Sequence, residues 1–142
     1  MSLMFQRRSL LIALALASTA AFAQHKHSHP LKSLHGGEVL EGRRHHFELV
    51  LLPAQDPQAV DLSLYVSNHH NKAVKIEAAT AQAVVRSGGA EIRVPLVLAG
   101  SNVLKGAGRF EAAAGLSVEV TVAIGKLPAE TLTFRPLEQK RR

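Results

Sequence analysis

The chain has 142 residues, a formal net charge of +6 at neutral pH and no cysteine. This length suits one domain, and the lack of cysteine excludes disulfides, thiolate metal ligands and thiol catalysis. Aromatic residues make up 4% of the chain, and the sequence shows neither basic residues clustered on one face nor stacking aromatics, which argues against a nucleic-acid-binding protein.

Residues 1–23 have the pattern of a secretory signal peptide. Arg7 and Arg8 precede an apolar segment, 10–17, and small residues at 21 and 23 predict cleavage after Ala23. The uncharged apolar stretch covers 14 residues, fewer than the roughly 20 that a membrane helix needs. We therefore expect export to the periplasm and cleavage rather than an uncleaved membrane anchor, with no transmembrane segment after processing.

The expected mature protein has a net charge of +4, because the leader holds two of the 17 basic residues and none of the 11 acidic ones. Both methionines also lie in the leader. The mature chain would therefore contain no sulfur ligand for a metal.

Residues 24–34 form a polar arm that contains His25, His27 and His29. The arm has no apolar period, so we predict that it is disordered. Short histidine tracts bind metal loosely because ordering them costs entropy. The alternative interpretation is an exposed polar tail.

Residues 35–136 show the short alternating runs that are typical of β-strands, and residues 137–142 form a basic tail. In residues 60–66 apolar side chains occupy every second position, as expected for a half-buried strand. Pro95 indicates an edge strand or a bulge. The same criteria predict strands at 44–52, 60–66, 73–86, 91–98, 103–110, 116–124 and 132–135. About seven strands in one domain predict an all-β fold, a single antiparallel β-sandwich of immunoglobulin-like type.

The eight histidines are strongly clustered. All of them lie within 46 consecutive residues, 25–70, and none occurs in the 72 residues that follow. Neutral imidazole is the commonest protein ligand for divalent transition metals. The clustering therefore indicates a metal site.

The predicted strand 44–52 places ligand-type residues at its start. Phe47 and its alternate neighbours belong to the core, so His45 is expected to lean inward, while His46 and Glu48 point outward together. Antiparallel pairing with strand 60–66 is expected to place His46 opposite Val66 and His45 opposite Ser67. A shift of one residue in this register would reverse the faces.

Further histidines are expected at the same end of the sandwich. His69 and His70 lie in the turn 68–72, and His35 can return there after the turn at Gly36 and Gly37. The alternative interpretations are that His45 is a half-buried structural histidine and that His70 is part of the polar surface of the turn. The predicted metal ligands are His35, His45, His46, Glu48, His69 and His70, with His25, His27 and His29 as weaker ones.

Ligand chemistry limits the metal. Without cysteine or a mature methionine, Cu(I) is disfavoured, and nitrogen ligands with a carboxylate suit Cu(II), Zn(II), Ni(II) or Co(II). Cu(II) and Zn(II) are the favoured ions. Binding is expected to weaken below about pH 6.5, because imidazole must be neutral to coordinate.

Several short motifs, at residues 35–37, 46–50, 64–66 and 102–106, resemble the small β-domains in periplasmic adaptor (membrane-fusion) subunits of heavy-metal efflux pumps. They also resemble the related stand-alone secreted metal-binding proteins. The resemblance implies a periplasmic metal binder that is an accessory to heavy-metal efflux or resistance, with an efflux adaptor or pump as partner. The helical hairpin and lipoyl half-motifs of a complete adaptor are absent, and Asn68 to Asn71 replace the acidic-glycine turn of the family.

The leading hypothesis is thus a non-catalytic binding protein for a divalent transition metal. The alternative is a metal-independent envelope interaction module with an immunoglobulin-like fold, in which the histidines are incidental. An enzyme is not expected. The chain lacks the cysteines and later histidines of a copper/zinc superoxide dismutase, and it has no recognisable Ser–His–Asp spacing.

Overall fold

The computed structural model describes residues 30–138, and within that range every regular element is a β-strand. The eight strands form one antiparallel sheet in the order β1-β2-β3-β6-β5-β4-β7-β8. They are β1 (Glu38–Glu41), β2 (His46–Pro53), β3 (Val60–Ser67), β4 (Ala79–Ser87), β5 (Ala90–Leu98), β6 (Val103–Gly108), β7 (Ser117–Ile124) and β8 (Glu130–Phe134). The prediction of an all-β fold is confirmed.

The predicted signal peptide and the arm histidines at 25, 27 and 29 lie outside the described residues, as does the tail beyond residue 138. Residues 30–34, the end of the predicted arm, have no regular secondary structure. No helix among residues 30–138 is long and apolar enough to cross a membrane.

The strands form because apolar side chains recur at every second position and bury one face. In β3 the side chains of Leu62, Leu64 and Val66 are fully buried, whereas Asp61, the second residue of the strand, is exposed. The same alternation in the other strands produces one shared core. Its fully buried members include Phe47, Leu49, Leu62, Leu64, Val66, Ala83, Leu104, Val118, Val120 and Phe134.

The sheet curls until its first and last strands face each other. Two carboxylates join them: Glu38 Oε2 accepts a hydrogen bond of 2.6 Å from the backbone N–H of Arg135, and Glu130 Oε1 accepts one of 2.6 Å from that of Arg43. Strands β1 and β8 are not paired through their backbones, and these two side-chain hydrogen bonds bridge the gap between them. The sheet is therefore nearly closed.

The ladder is weakest between β5 and β6, which share two residue pairs. Pro95 lies in β5 where that strand has no ladder partner on the β6 side, a position that tolerates a residue without a backbone N–H. All eight strands nevertheless belong to one sheet. The two-sheet sandwich with immunoglobulin-like topology stays a prediction.

The predicted pairing of β2 with β3 was wrong by one residue. His46 lies opposite Ser67 rather than Val66, and Phe47 lies opposite Val66. Cross-strand partners in an antiparallel pair point to the same face. The observed register therefore places the apolar residues of both strands in one core, which the predicted register would have divided between two faces.

At two further places the strands differ from the prediction by more than two residues. Strand β1 was not predicted, because four residues with a glutamate at each end show too little alternation. The predicted strand 73–86 begins only at Ala79. Ile76 is buried in the preceding loop, where its N–H donates to Ser101 O, so the apolar alternation there reflects an anchored loop.

Gly106 provides a test of the contact between β6 and β5. A Cβ at this position would overlap the backbone carbonyl oxygen of Pro95, and backbone atoms cannot move aside as a flexible side chain can. We expect Gly106→Ala to lower the free energy of unfolding by about 1–3 kcal/mol in urea denaturation. Ala107→Ser, at the exposed neighbouring position, should change it by less than about 0.5 kcal/mol. Equal stability of the two variants would contradict this contact.

Candidate metal centre

Three ligand-type side chains meet where β1 ends, β2 begins and β3 ends. Glu41 is the cross-strand partner of His46, and His46 pairs with Ser67, two residues before His69. Glu41, His46 and His69 each present a ligand atom, and these three atoms lie within 4.8 Å of one another. We call these three residues the histidine–glutamate cluster.

The two imidazoles are already at the separation of two ligands on one ion. His69 Nδ1 lies 3.2 Å from His46 Nε2 and 3.7 Å from Glu41 Oε1. Two nitrogens bound tetrahedrally at about 2.0–2.1 Å from zinc are roughly 3.3 Å apart. The rings are nearly perpendicular, at 85°, so the nitrogens converge without stacking of the ring faces.

The cluster changes from buried to exposed across its width. His46 is 2% exposed, whereas the side chains of His69 and Glu41 are 40% and 63% exposed. His46 therefore forms the floor of the cluster, and an ion can approach from the solvent side. The exposed Glu41 carboxylate has room to rotate toward such an ion.

The turn that carries His69 is held by two asparagines. Asn68 Oδ1 accepts hydrogen bonds from the backbone N–H groups of His70 (2.9 Å) and Lys72 (3.0 Å). Asn71 adopts a left-handed conformation with φ of 59°, which asparagine tolerates better than most residues. These local bonds define the direction in which His69 leaves β3.

Glu48 was predicted to coordinate metal beside His46, but its carboxylate is occupied elsewhere. It is 5% exposed and accepts hydrogen bonds from residues 33–37. The donors are Ser33 Oγ (2.6 Å), Leu34 N (3.0 Å), His35 N (2.9 Å) and Gly37 N (2.9 Å), and His35 Nδ1 lies 3.0 Å away. We call residues 30–37 the strap, because they lie across the outer side of β2 and β3.

This arrangement keeps Glu48 ionised. Burial alone would raise the pKa of the carboxyl, but the hydrogen bonds from Ser33, Gly37 and His35 outweigh it and lower the pKa to about 2. A carboxylate with this many donors is stabilised as the anion. Glu48 therefore anchors the strap and is not part of the histidine–glutamate cluster.

His35 also lies outside the cluster. Its ring stacks on Tyr65 with the ring centroids 3.6 Å apart and the planes 6° from parallel, while Nδ1 faces Glu48 Oε2. Tyr65 is the cross-strand partner of Glu48, so one outer patch of the sheet holds both contacts. The position of His35 is explained by docking of the strap.

His45 precedes β2 and leans inward, as expected. Its Nδ1 is buried without a hydrogen-bond partner among the described residues, and its ring meets the edge of Phe47 at 6.1 Å. Burial lowers the pKa of His45, an effect that the nearby Glu130 carboxylate partly opposes. The geometry fits the alternative of a half-buried structural histidine, and His45 is not in the cluster.

His70 is exposed in the turn and is also not part of the cluster. Of the six ligands predicted in the folded domain, the structure thus brings together His46 and His69. The third member, Glu41, was missed because β1 was not predicted. The two apolar residues of β1, Val39 and Leu40, are adjacent and show no alternation, and only the pairing of β1 with β2 places Glu41 opposite His46.

Comparison of the chain with protein families, with curated proteins and with solved structures finds no match. The chemistry of the cluster is therefore interpreted from its own geometry.

Glu48 predicts a specific dependence of stability on pH. Its pKa in the folded protein, about 2, lies below the ordinary value of 4.5, so its contribution is present above about pH 5 and is lost as the pH falls toward 2. In urea unfolding without added metal, Glu48→Gln should lower the free energy of unfolding by roughly 2–3 kcal/mol at pH 7 and by much less near pH 2.5.

The matched control is Glu77→Gln, since the Glu77 side chain is 83% exposed. This variant should differ little from the parent protein at either pH. An equal loss for Glu48→Gln at both pH values would show that the strap does not depend on the charge of Glu48.

Proposed function

We propose that this protein is a non-catalytic binding protein for a divalent transition metal, with Glu41, His46 and His69 as ligands. The observation that carries the proposal is the 3.2 Å approach of His46 Nε2 and His69 Nδ1 beside the Glu41 carboxylate. Two imidazole nitrogens and a carboxylate oxygen form a donor set that suits Zn(II), Cu(II), Ni(II) or Co(II).

The open side of the cluster favours a metal ion that is bound reversibly and can be passed to another molecule. Three protein ligands leave a coordination position for water or for a ligand from another molecule. Because His69 and Glu41 are partly exposed, that position faces solvent. Such a site suits the buffering or transfer of metal better than a permanently enclosed structural ion.

The cellular setting belongs to the same proposal. The signal-peptide pattern of residues 1–23 supports the periplasm, and the motif resemblance to efflux adaptor domains supports an accessory role in heavy-metal efflux or homeostasis. The resemblance also supports the sandwich-like, immunoglobulin-type interpretation of the fold and an efflux adaptor or pump as partner.

Without metal, the same two histidines can form an ordinary hydrogen bond. His69 Nδ1–H would then donate to His46 Nε2, and the cluster would serve only to hold the turn 68–72 against β2. A titration with metal distinguishes the two interpretations, because removal of the His69 imidazole weakens metal binding only if this imidazole is a ligand.

Calorimetric titration of the mature protein with Zn(II) or Cu(II) tests the proposal. In a background of His25→Ala, His27→Ala and His29→Ala, which removes the arm histidines, we expect one saturable site. His69→Ala should weaken it at least about tenfold, equivalent to about 1.4 kcal/mol, because a nitrogen ligand is lost.

The matched control is His70→Ala, which removes the neighbouring imidazole outside the cluster and should leave the affinity unchanged. Equal effects of the two substitutions, or no saturable binding in the background protein, would refute the proposed site. Restoring the three arm histidines should add only the weaker binding that a short histidine tract gives.

A further inference from the structure

The side-chain amide of Asn71 has three partners. Its Oδ1 lies 3.4 Å from the backbone nitrogen of Lys32 and 3.2 Å from Nδ1 of His46. Its Nδ2 donates a hydrogen bond of 3.2 Å to the carbonyl oxygen of Pro30. One amide group therefore contacts both the strap and the buried ligand of the histidine–glutamate cluster.

These contacts determine which nitrogen of His46 carries the proton. A backbone N–H can only donate and a carbonyl can only accept, so Lys32 and Pro30 together set the orientation of the Asn71 amide. Its Oδ1 can only accept, and His46 Nδ1 must therefore be the donor. In a neutral imidazole the other nitrogen, Nε2, then has a free lone pair.

Nε2 is the nitrogen that faces His69 Nδ1. The hydrogen bond to Asn71 thus presents the lone pair of His46 to the place where an ion would lie. Partners of this kind orient metal-binding histidines and set their tautomer, and their loss typically costs 10–100-fold in metal affinity.

We propose that Asn71 is the positioning residue of the metal site and couples it to the strap, so that metal binding and docking of the strap stabilise each other. This inference rests on the proposed function. Hydrogen bonds attach the strap at two places, to Asn71 at residues 30–32 and to Glu48 at residues 33–37. Glu48 lies on β2 two residues beyond His46, and Asn71, in the turn 68–72, contacts His46 itself, so both attachments adjoin the buried ligand.

Coupling follows from this shared amide. An ion on His46 Nε2 holds the imidazole in the Nδ1–H tautomer and fixes its orientation, which strengthens the bond to Asn71 and hence the attachment of Pro30 and Lys32. By thermodynamic linkage the docked strap must raise the affinity for metal by the same factor.

The left-handed φ of Asn71, 59°, guides the choice of variants. Glycine and aspartate also tolerate this conformation, so Asn71→Gly and Asn71→Asp preserve the turn, whereas alanine would strain it. Asn71→Gly removes all three contacts. Asn71→Asp keeps an oxygen acceptor for His46 and for Lys32 but loses the donor to Pro30.

We would titrate the protein and both variants with Zn(II) in the background without arm histidines. Asn71→Gly should weaken binding about 10–100-fold, and Asn71→Asp should stay within a few-fold of the parent protein. Nitrogen-15 spectra of the imidazoles, recorded without metal, should show the Nδ1–H tautomer of His46 in the parent and loss of that preference in Asn71→Gly.

Hydrogen exchange of the strap measures the coupling itself. The amides of Leu34, His35 and Gly37 all donate to Glu48, and saturating Zn(II) should slow their exchange in the parent protein. The slowing should be absent in Asn71→Gly, which has no side-chain contact to the strap, and reduced in Asn71→Asp, which keeps the acceptor for Lys32 but lacks the donor to Pro30. A purely structural role of Asn71 would accelerate exchange equally with and without Zn(II).

The outcomes separate this inference from the proposed function. If the parent and Asn71→Gly bind Zn(II) equally well, the inference is overturned and the metal site stands. The same holds if the parent binds Zn(II) but the hydrogen exchange of the strap amides does not change. If the parent binds no Zn(II), the proposed function and the coupling both fail. An Nε2–H tautomer of His46 in the metal-free parent would overturn the positioning role whatever the affinity.

Discussion

The packing of Phe47 and Leu49 into the core governs the rest of the structure. Both side chains are fully buried, and this burial holds β2 in one register between β1 and β3. A slip of one residue would bring His46 and Glu48 into the core and expose the apolar side chains. Each fully buried apolar side chain is worth about 1.5–3 kcal/mol, so several of them together exclude that alternative. The position of the cluster is thus a consequence of apolar packing.

The outer side of β2 carries two polar groups with different roles. Glu48 is a buried charge, which is costly unless hydrogen bonds replace the lost water, and the strap supplies donors from Ser33, Leu34, His35 and Gly37. His46, one pleat away, has one nitrogen bonded to Asn71 and the other facing His69. One strand therefore anchors a covering segment through its carboxylate and forms the floor of a candidate metal site through its imidazole.

The histidines divide in the same way. His35 and His45 are explained by packing: one stacks on Tyr65 and the other leans against Phe47. His46 and His69 are brought together across the end of the sheet. A cluster of histidines in sequence therefore contains structural and ligand-type residues side by side, and burial alone does not separate them. The direction of each ring nitrogen does.

The sequence by itself determined the strand class, most strand positions, and the inward and outward faces of β2, and it included His46 and His69 among the candidate ligands. Alternating apolar residues report these features because burial of one face of a strand needs only local periodicity. The tertiary structure alone decided the one-residue register of β2 and β3, the recruitment of Glu41 through the short strand β1, the engagement of Glu48 by the strap, and the role of Asn71. These depend on pairing between separate segments, at separations from five positions for Glu41 and His46 to 41 positions for Pro30 and Asn71, and no local pattern encodes them.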